Sequence, residues 1–360
     1  MTYFFALIIT FFLSVILTLV VKKIAFKYKI LDYPDFQRKI HKVPIPLLGG
    51  VAIFLSFTIV LIYYSFFTNL LIYGFILPKH VIGIILAALI IVIGGVLDDK
   101  FNLKPKYQII FPILATLIIM ASGISINYIR NPFGNIISFK NWDFNLFYFQ
   151  GIPYKITLLA DFFTLFWLLG IMYTTKLLDG LDGLVSGITI ISSLIIFCIA
   201  MSKSVAQYNT ALIALILAGA FLGFLFFNFH PAKIFLGEGG SLFAGLMLGV
   251  LAIISGSKVA TTLLILGIPI LDVVWVIIRR MFTKKSISLA DRKHFHFRLL
   301  DIGLNQRQAV IFMYSLTASF GIAALFLQTM GKFIALLVLA ALMLILAGAL
   351  VIIYKYKNKF

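Results

Sequence analysis

Between residues 3 and 354 the chain is a succession of eleven apolar runs, at approximately 3–21, 48–67, 81–97, 108–122, 156–175, 184–201, 210–228, 242–256, 259–278, 309–329 and 333–354. Each is broken from the next by charged residues or by Gly and Pro. A helix needs about 20 apolar residues to cross a bilayer core, so most of these runs have membrane length, the fourth and eighth being short. With 62% hydrophobic and 12% charged residues, the chain has too little polar surface to coat a soluble globule of 360 residues. The expected fold is all-α, a polytopic membrane protein with about 11 transmembrane helices in a single domain over residues 1–360. The first run lacks a basic leader and a small-residue cleavage site and is followed by Lys22 and Lys23, which predicts a retained span. Cys198, the sole cysteine, excludes an internal disulfide.

The basic residues give the orientation. Of the 30 Lys and Arg, only Lys79, Arg130, Lys140, Lys155, Lys203, Lys258 and Lys332 fall in one alternate set of connections; the rest lie in the other set and the C-terminal tail. Cytoplasmic connections carry the excess of Lys and Arg, so the N-terminus is expected outside and the C-terminus inside a cell membrane. A net charge of +18 then makes the inner face attractive to anionic membrane lipids and anionic substrates; no nucleic acid is expected as a partner.

The chain has only 12 acids. Asp98, Asp99, Asp179, Asp182 and Glu238 sit within a few residues of span ends on the predicted inner face, where carboxylates are costly without water, a cation or a partner. They are expected to converge on one shallow cytoplasmic-face site. Asp161 and Asp272 fall inside apolar runs, and they are the candidates for a midplane relay if the chain is a secondary transporter. The absence of an internal repeat and the gathering of acids at one face count against that class.

Five segments carry chemistry. "GGVLDDKFNLKPK" pairs Asp98 with Asp99, whose repulsion a divalent cation or a proton would relieve. "DGLDG" puts Asp179 and Asp182 on one face if helical, with Gly180 and Gly183 allowing a phosphate to approach the backbone; standing alone, it reads as a loop with an Asp helix cap. "NFHPAKIFLGEGGS" ends in a glycine-rich turn around Glu238, the only glutamate, and such turns offer N–H groups to phosphate. "DRKHFHFRLL" places His294 and His296 on one side of an extended segment but on opposite sides of a helix, among bases that suit a polyanion; with no cysteine nearby, structural zinc is not expected. "RKIHKVPIPLLGG" is a basic loop stiffened by Pro44 and Pro46, which an ordinary inner linker would also explain.

In this order, "GVLDD", "LLDGLDGL", "PAKIFLGEGGS", "PILDVVWVIIRR" and "HFHFRLLDIGLNQRQAV" resemble the polyprenyl-phosphate N-acetylhexosamine-1-phosphate transferases over roughly residues 38–314. The resemblance is to the undecaprenyl-phosphate GlcNAc-1-phosphate transferase branch, related to phospho-N-acetylmuramoyl-pentapeptide transferase. It implies transfer of a sugar 1-phosphate, foremost N-acetylglucosamine 1-phosphate, from a UDP-N-acetylhexosamine to undecaprenyl phosphate, with release of UMP. It implies Mg²⁺, with Mn²⁺ as a substitute, and a role in starting cell-envelope glycans such as O-antigen, teichoic acid linkage units or capsule; a homodimer is compatible with it. Carried over by position, Asp98, Asp99, Asp179 and Asp182 are the catalytic acids, with Asp98 or Asp99 the candidate general base. Asp98, Asp99, Asp179 and Glu238 are the expected metal ligands, and Lys42, Lys176, Gly239, Gly240, His294, His296 and Arg298 the expected substrate-binding residues.

The chain departs from the family pattern at three of these positions. Lys176 stands where an asparagine is usual, Glu238 where an aspartate is usual, and Phe297 where a further histidine often stands. The peptidoglycan precursor transferase is the alternative within the family, and its usual histidine-rich stretch differs from "DRKHFHFRLLDIGLNQRQ".

Overall fold

In the computed structural model the protein is a bundle of long apolar helices, described for residues 2–34, 41, 43–68, 70–72, 74, 76–139, 143–149, 152–203, 205–256, 259–282 and 294–357. The helices are α1 (Thr2–Lys27), α2 (Gly49–Phe66), α3 (Pro78–Phe101), α4 (Pro105–Gln108), α5 (Ile110–Ala121), α6 (Leu158–Leu178), α7 (Leu184–Met201), α8 (Tyr208–Asn228), α9 (Gly237–Ile254), α10 (Val259–Ile265), α11 (Gly267–Phe282), α12 (Phe295–Asp301), α13 (Gln306–Phe326) and α14 (Thr329–Lys357). Among the described residues, nine helices are individually long and apolar enough to cross a membrane, and a tenth crossing results if α10 and α11 form one bent span. The shorter apolar stretch Pro105–Ala121 occupies the fourth run of the sequence and accounts for the difference from eleven.

The ninth run differs from its expected form. Residues 259–278 do not make one helix: α10 and α11 meet at 79° around Leu266. Gly267 weakens the helix there, and Pro269 brings no N–H for the carbonyl of Ile265.

Among the described residues there are also three two-stranded antiparallel ribbons. β1 (Leu31–Asp32) pairs with β2 (Ile45–Pro46) beside the start of α2. β3 (Tyr128–Arg130) pairs with β4 (Ile136–Ser138), and β5 (Asp143–Phe149) with β6 (Ile152–Thr157), so two ribbons lie in the connection before α6.

Small residues let the helices approach. The face of α1 that is buried reads Ala6, Thr10, Ser14, Thr18, Val21 and Ala25, a stripe with steps of three or four residues; α1 packs on α8 and on α2, and Val21 and Ala25 cluster with Leu48 and Ala52 at the start of α2. A Cβ at Gly219 of α8 would stand 2.6 Å from the Leu7 carbonyl oxygen, and one at Gly223 would strike that of Phe11. Helices in lipid gain little from burying apolar surface against each other, so close packing through small residues drives their association. The same device gathers α2 and α3 around the first turn of α9. Gly50 and Gly95 face Gly240 and Gly239 so closely that neither pair has room for a side chain. α8 and α9 are the most enclosed spans and α14 the least.

Asp161 and Asp272 find partners within this frame. Asp161 accepts the Ser125 hydroxyl at 2.6 Å and the Thr157 N–H at 3.0 Å, fastening the start of α6 to the connection after α5. Asp272 accepts the His294 ring at 2.9 Å and the Phe295 N–H at 2.9 Å. Both acids are engaged in holding segments together, which leaves the transporter reading without a free relay carboxylate among its two candidates.

Candidate active site

The C-terminal ends of α3 and α6, the loop after α8 and the N-terminus of α9 all lie at one end of the bundle. They enclose an open cavity of about 970 Å³ lined by Asp98, Asp99, Lys176, Asp179, Asp182 and Glu238, together with Asp32, His41, His230, Phe297 and Gln306. The five acids singled out in the sequence therefore meet, although they come from three distant segments.

Each carboxylate is held differently. Asp98, in the last turn of α3, accepts the Leu103 N–H at 2.8 Å and the Gln108 side-chain amide at 2.9 Å, an arrangement that turns the chain from α3 into α4. Asp99 accepts the Glu238 N–H at 3.1 Å. Gly237 precedes it with φ +75°, a conformation favoured by glycine, and a Cβ there would strike the Asp99 carboxylate. Asp182 is committed to the loop after α8: it accepts the His230 Nδ1–H at 2.7 Å and the Ala232 N–H at 3.1 Å. Asp179, just past α6, opens on the cavity. The protein around it and then the charges of Glu238 and Asp182 push its carboxyl up to about 8, which a cation entering the cavity would reverse.

Glu238 forms an ion pair with Lys176, and the same ammonium donates to the Gln108 carbonyl oxygen at 2.9 Å. The two departures from the family pattern, Lys176 and Glu238, are thus in contact. Lys176 is held inside the acid cluster, where it offsets part of the mutual repulsion.

Two expected phosphate-binding glycines have another task. Gly239 is packed on Val92 and Gly95 of α3, and Gly240 on Gly50 of α2, away from the cavity lining. The N–H of Glu238 is taken by Asp99 and not left for a phosphate. The backbone of the turn that reaches the cavity is Gly237–Glu238.

The histidine segment stands beside the DGLDG loop. His294 has extended backbone at the N-cap of α12, and this lets its ring stack on that of His296 with centroids 5.6 Å apart and planes 8° apart. His296 is fully buried against Gly180, and among the described residues neither ring nitrogen has a hydrogen-bond partner. Burial holds it down at about 4, with Asp272 opposing the effect and His294 adding to it, so the ring is held as a neutral imidazole. Arg298 lies on α12 outside the cavity lining. Lys42 lies outside the described residues.

The donor set around the cavity consists of carboxylate oxygens, the ligands a hard divalent cation prefers. Among the described residues, no three His, Cys, Asp or Glu side chains stand together as a formed metal cluster.

Comparison with known proteins settles the ancestry. The family model for "Glycosyl transferase family 4" matches residues 81–256, which span α3 to the end of α9 and so include all five acids. The chain is 31% identical over 345 residues to the "Probable undecaprenyl-phosphate N-acetylglucosaminyl 1-phosphate transferase" of Bacillus subtilis, covering 94% of this chain and 88% of that one. The chain belongs to glycosyl transferase family 4. Other members it resembles are the "Decaprenyl-phosphate N-acetylglucosaminephosphotransferase" of Mycobacterium tuberculosis, 27% identical over 317 residues and covering 82% of this chain and 74% of that one. The "Phospho-N-acetylmuramoyl-pentapeptide-transferase" of Streptococcus uberis is 31% identical over 242 residues, covering 66% of each chain.

Against this glycosyl transferase family 4 background, His230, Gln108, Asp32, His41 and Gln306 are site residues that the sequence reading did not select. His230 had a signal, since it stands in the quoted "NFHPAK" segment; what the string could not display was its bond to Asp182.

Proposed function

We propose that this membrane enzyme transfers N-acetylglucosamine 1-phosphate from UDP-N-acetylglucosamine to undecaprenyl phosphate and releases UMP, and that it does so at the cytoplasmic face of the cell membrane. The observation that carries the reading is the gathering of Asp98, Asp99, Asp179, Asp182 and Glu238, with Lys176 among them, on one open cavity at the end of the helices. The near-full-length similarity to a protein named for this reaction supports it. The phospho-N-acetylmuramoyl-pentapeptide transferase reading is supported over a smaller share of the chain.

In the proposed transfer a non-bridging oxygen of the lipid phosphate forms a bond to the β-phosphorus. The bond from that phosphorus to the oxygen bridging to the α-phosphate breaks, and UMP leaves with the bridging oxygen and its electron pair. Both reactants are anions, so the cavity must first cancel repulsion. A bound Mg²⁺ supplies charge neutralisation on the pyrophosphate, and Asp98, Asp99, Asp179 and Glu238 are the residues that would hold it. The ammonium of Lys176 is close enough to Glu238 to exchange that carboxylate for a phosphate oxygen. Asp182 and His230 fix the loop after α8, which lines the cavity. A phosphate monoester has a second pKa of about 6 and is largely a dianion at neutral pH, so Asp98 and Asp99 need not remove a proton.

The test uses purified protein with undecaprenyl phosphate, Mg²⁺ and a panel of UDP-sugars. UMP should appear only when lipid phosphate, metal and a UDP-N-acetylhexosamine are all present, fastest with the N-acetylglucosamine compound. Release with none of the panel, or only with a muramoyl-pentapeptide donor, would overturn the proposal.

A further inference from the structure

α12 begins without a cap of its own. His294, at its N-cap, makes no side-chain bond to the first turn, although the first N–H groups of a helix need acceptors. The acceptor comes from another helix. Asp272, in the middle of α11, receives the Phe295 N–H on Oδ1 and the His294 ring nitrogen Nδ1 on Oδ2, each at 2.9 Å, and both partners are buried. A carboxylate at this start is also favourable for the helix dipole.

The second bond does more than fasten. An ionised carboxylate only accepts, so the His294 Nδ1 must carry a proton, and in the neutral ring Nε2 is then the bare nitrogen. The ring so oriented stacks on His296, and His296 packs on Gly180, between Asp179 and Leu181 at the cavity. The two unpartnered nitrogens of His296, fully buried, are what this chain of contacts brings to the DGLDG loop.

We infer that Asp272 is a positioning residue for the transfer: it sets both the place of α12 and the protonated nitrogen of His294, and through them holds the histidine pair against the loop of Asp179. The inference rests on the reaction proposed above.

Asp272→Asn separates the two tasks. Its Oδ1 still accepts the Phe295 N–H, so α12 keeps its cap, but the amide NH₂ now faces His294 and forces Nδ1 to become the acceptor, which moves the ring proton to Nε2. UMP release and the thermal midpoint in detergent are measured for the wild type, Asp272→Asn, His294→Gln and the double variant. Asp272→Asn should lose at least about tenfold in kcat with the midpoint retained, the order seen when a positioned group is lost from a general acid–base or charge-stabilising network. In the His294→Gln background the same change should cost less than about threefold, because a glutamine amide can present either end to residue 272. A near-wild-type Asp272→Asn would overturn the inference, since capping alone is then enough, and so would an equal loss in both backgrounds. Should Asp272→Asn fail to fold, His294→Gln decides: a folded His294→Gln with wild-type activity overturns the inference, and one that reproduces the loss supports it. No UMP from the wild type overturns the reaction and this inference together, a result distinct from any of these.

Discussion

Gly50→Ala tests whether the site depends on how closely α2 and α9 approach. A Cβ at Gly50 would stand 2.6 Å from the Gly240 Cα and 2.9 Å from the Gly239 carbonyl carbon, whereas ordinary contact begins at 3.4 Å. The Gly240 backbone N is nearer still; the obstacle is backbone, so no side chain can swing aside, and the first turn of α9 must move by about 1 Å. Overpacking of this kind costs about 1–3 kcal/mol of stability. The larger effect should be on rate. Glu238 lies in that turn, its N–H is bonded to Asp99 and its carboxylate to Lys176, and misplacing a reacting constellation by about 1 Å costs on the order of 10²-fold. The expected outcome is a protein that still purifies as a monodisperse species, with a lowered thermal midpoint and UMP release reduced about 10- to 100-fold. Gly170→Ala is the control: it lies within α6, nothing stands within 4 Å of the added methyl, and the change should leave activity intact while adding about 0.5–1 kcal/mol to helix stability. Wild-type activity and stability for Gly50→Ala would refute the reasoning, because the first turn of α9 would then have freedom that the packing denies it.

Glu238→Gln should retain the thermal midpoint and lose most activity, since a neutral amide is a poor ligand for a hard cation; an unchanged rate and Mg²⁺ dependence would remove Glu238 from the metal set. Lys176→Met leaves Glu238 without its ammonium, so the Mg²⁺ concentration for half-maximal UMP release should fall and the KM for the UDP-sugar should rise, both read from initial rates; two unchanged constants would refute the shared role. Single cysteines placed in a chain with Cys198 replaced should report the orientation: position 106 should react with an impermeant maleimide only from the cytoplasm and position 133 only from outside, and the reverse pattern would invert the proposed face.

Hydropathy is a sum over residues, which is why the apolar runs and the helices they form could be read directly, down to the short Pro105–Ala121. The bend at Leu266 escaped because Gly267 and Pro269 change backbone geometry without changing how apolar the run is. The acids were legible through their rarity, and "DGLDG" through its pairing of carboxylates with glycine. The tasks of Gly239 and Gly240 were not, because a glycine-rich turn is the same string whether it cradles a phosphate or admits a neighbouring helix, and the deciding partners, Gly95 and Gly50, are far away in the chain. Lys176 and Glu238 looked like two separate departures from the family pattern; only the fold shows them to be a pair. His294 and His296 share a face because the first of them precedes α12 with extended backbone, an alternative that their spacing alone left open.

The contact between α1 and α8 sets an order of events during synthesis. Ser14 donates to the Ala220 carbonyl across 206 residues of sequence, so α1 waits for a partner made much later. At roughly 5–20 residues per second, that interval is on the order of 10–40 s. During it the polar stripe of α1 must survive among lipid tails. Thr10 and Thr18 are equipped for the wait, since their hydroxyls bond the carbonyls of Ala6 and Ser14 on their own helix and owe nothing to α8. Ser14 gives its hydroxyl to the late arrival, and it thereby marks the register in which the two spans close.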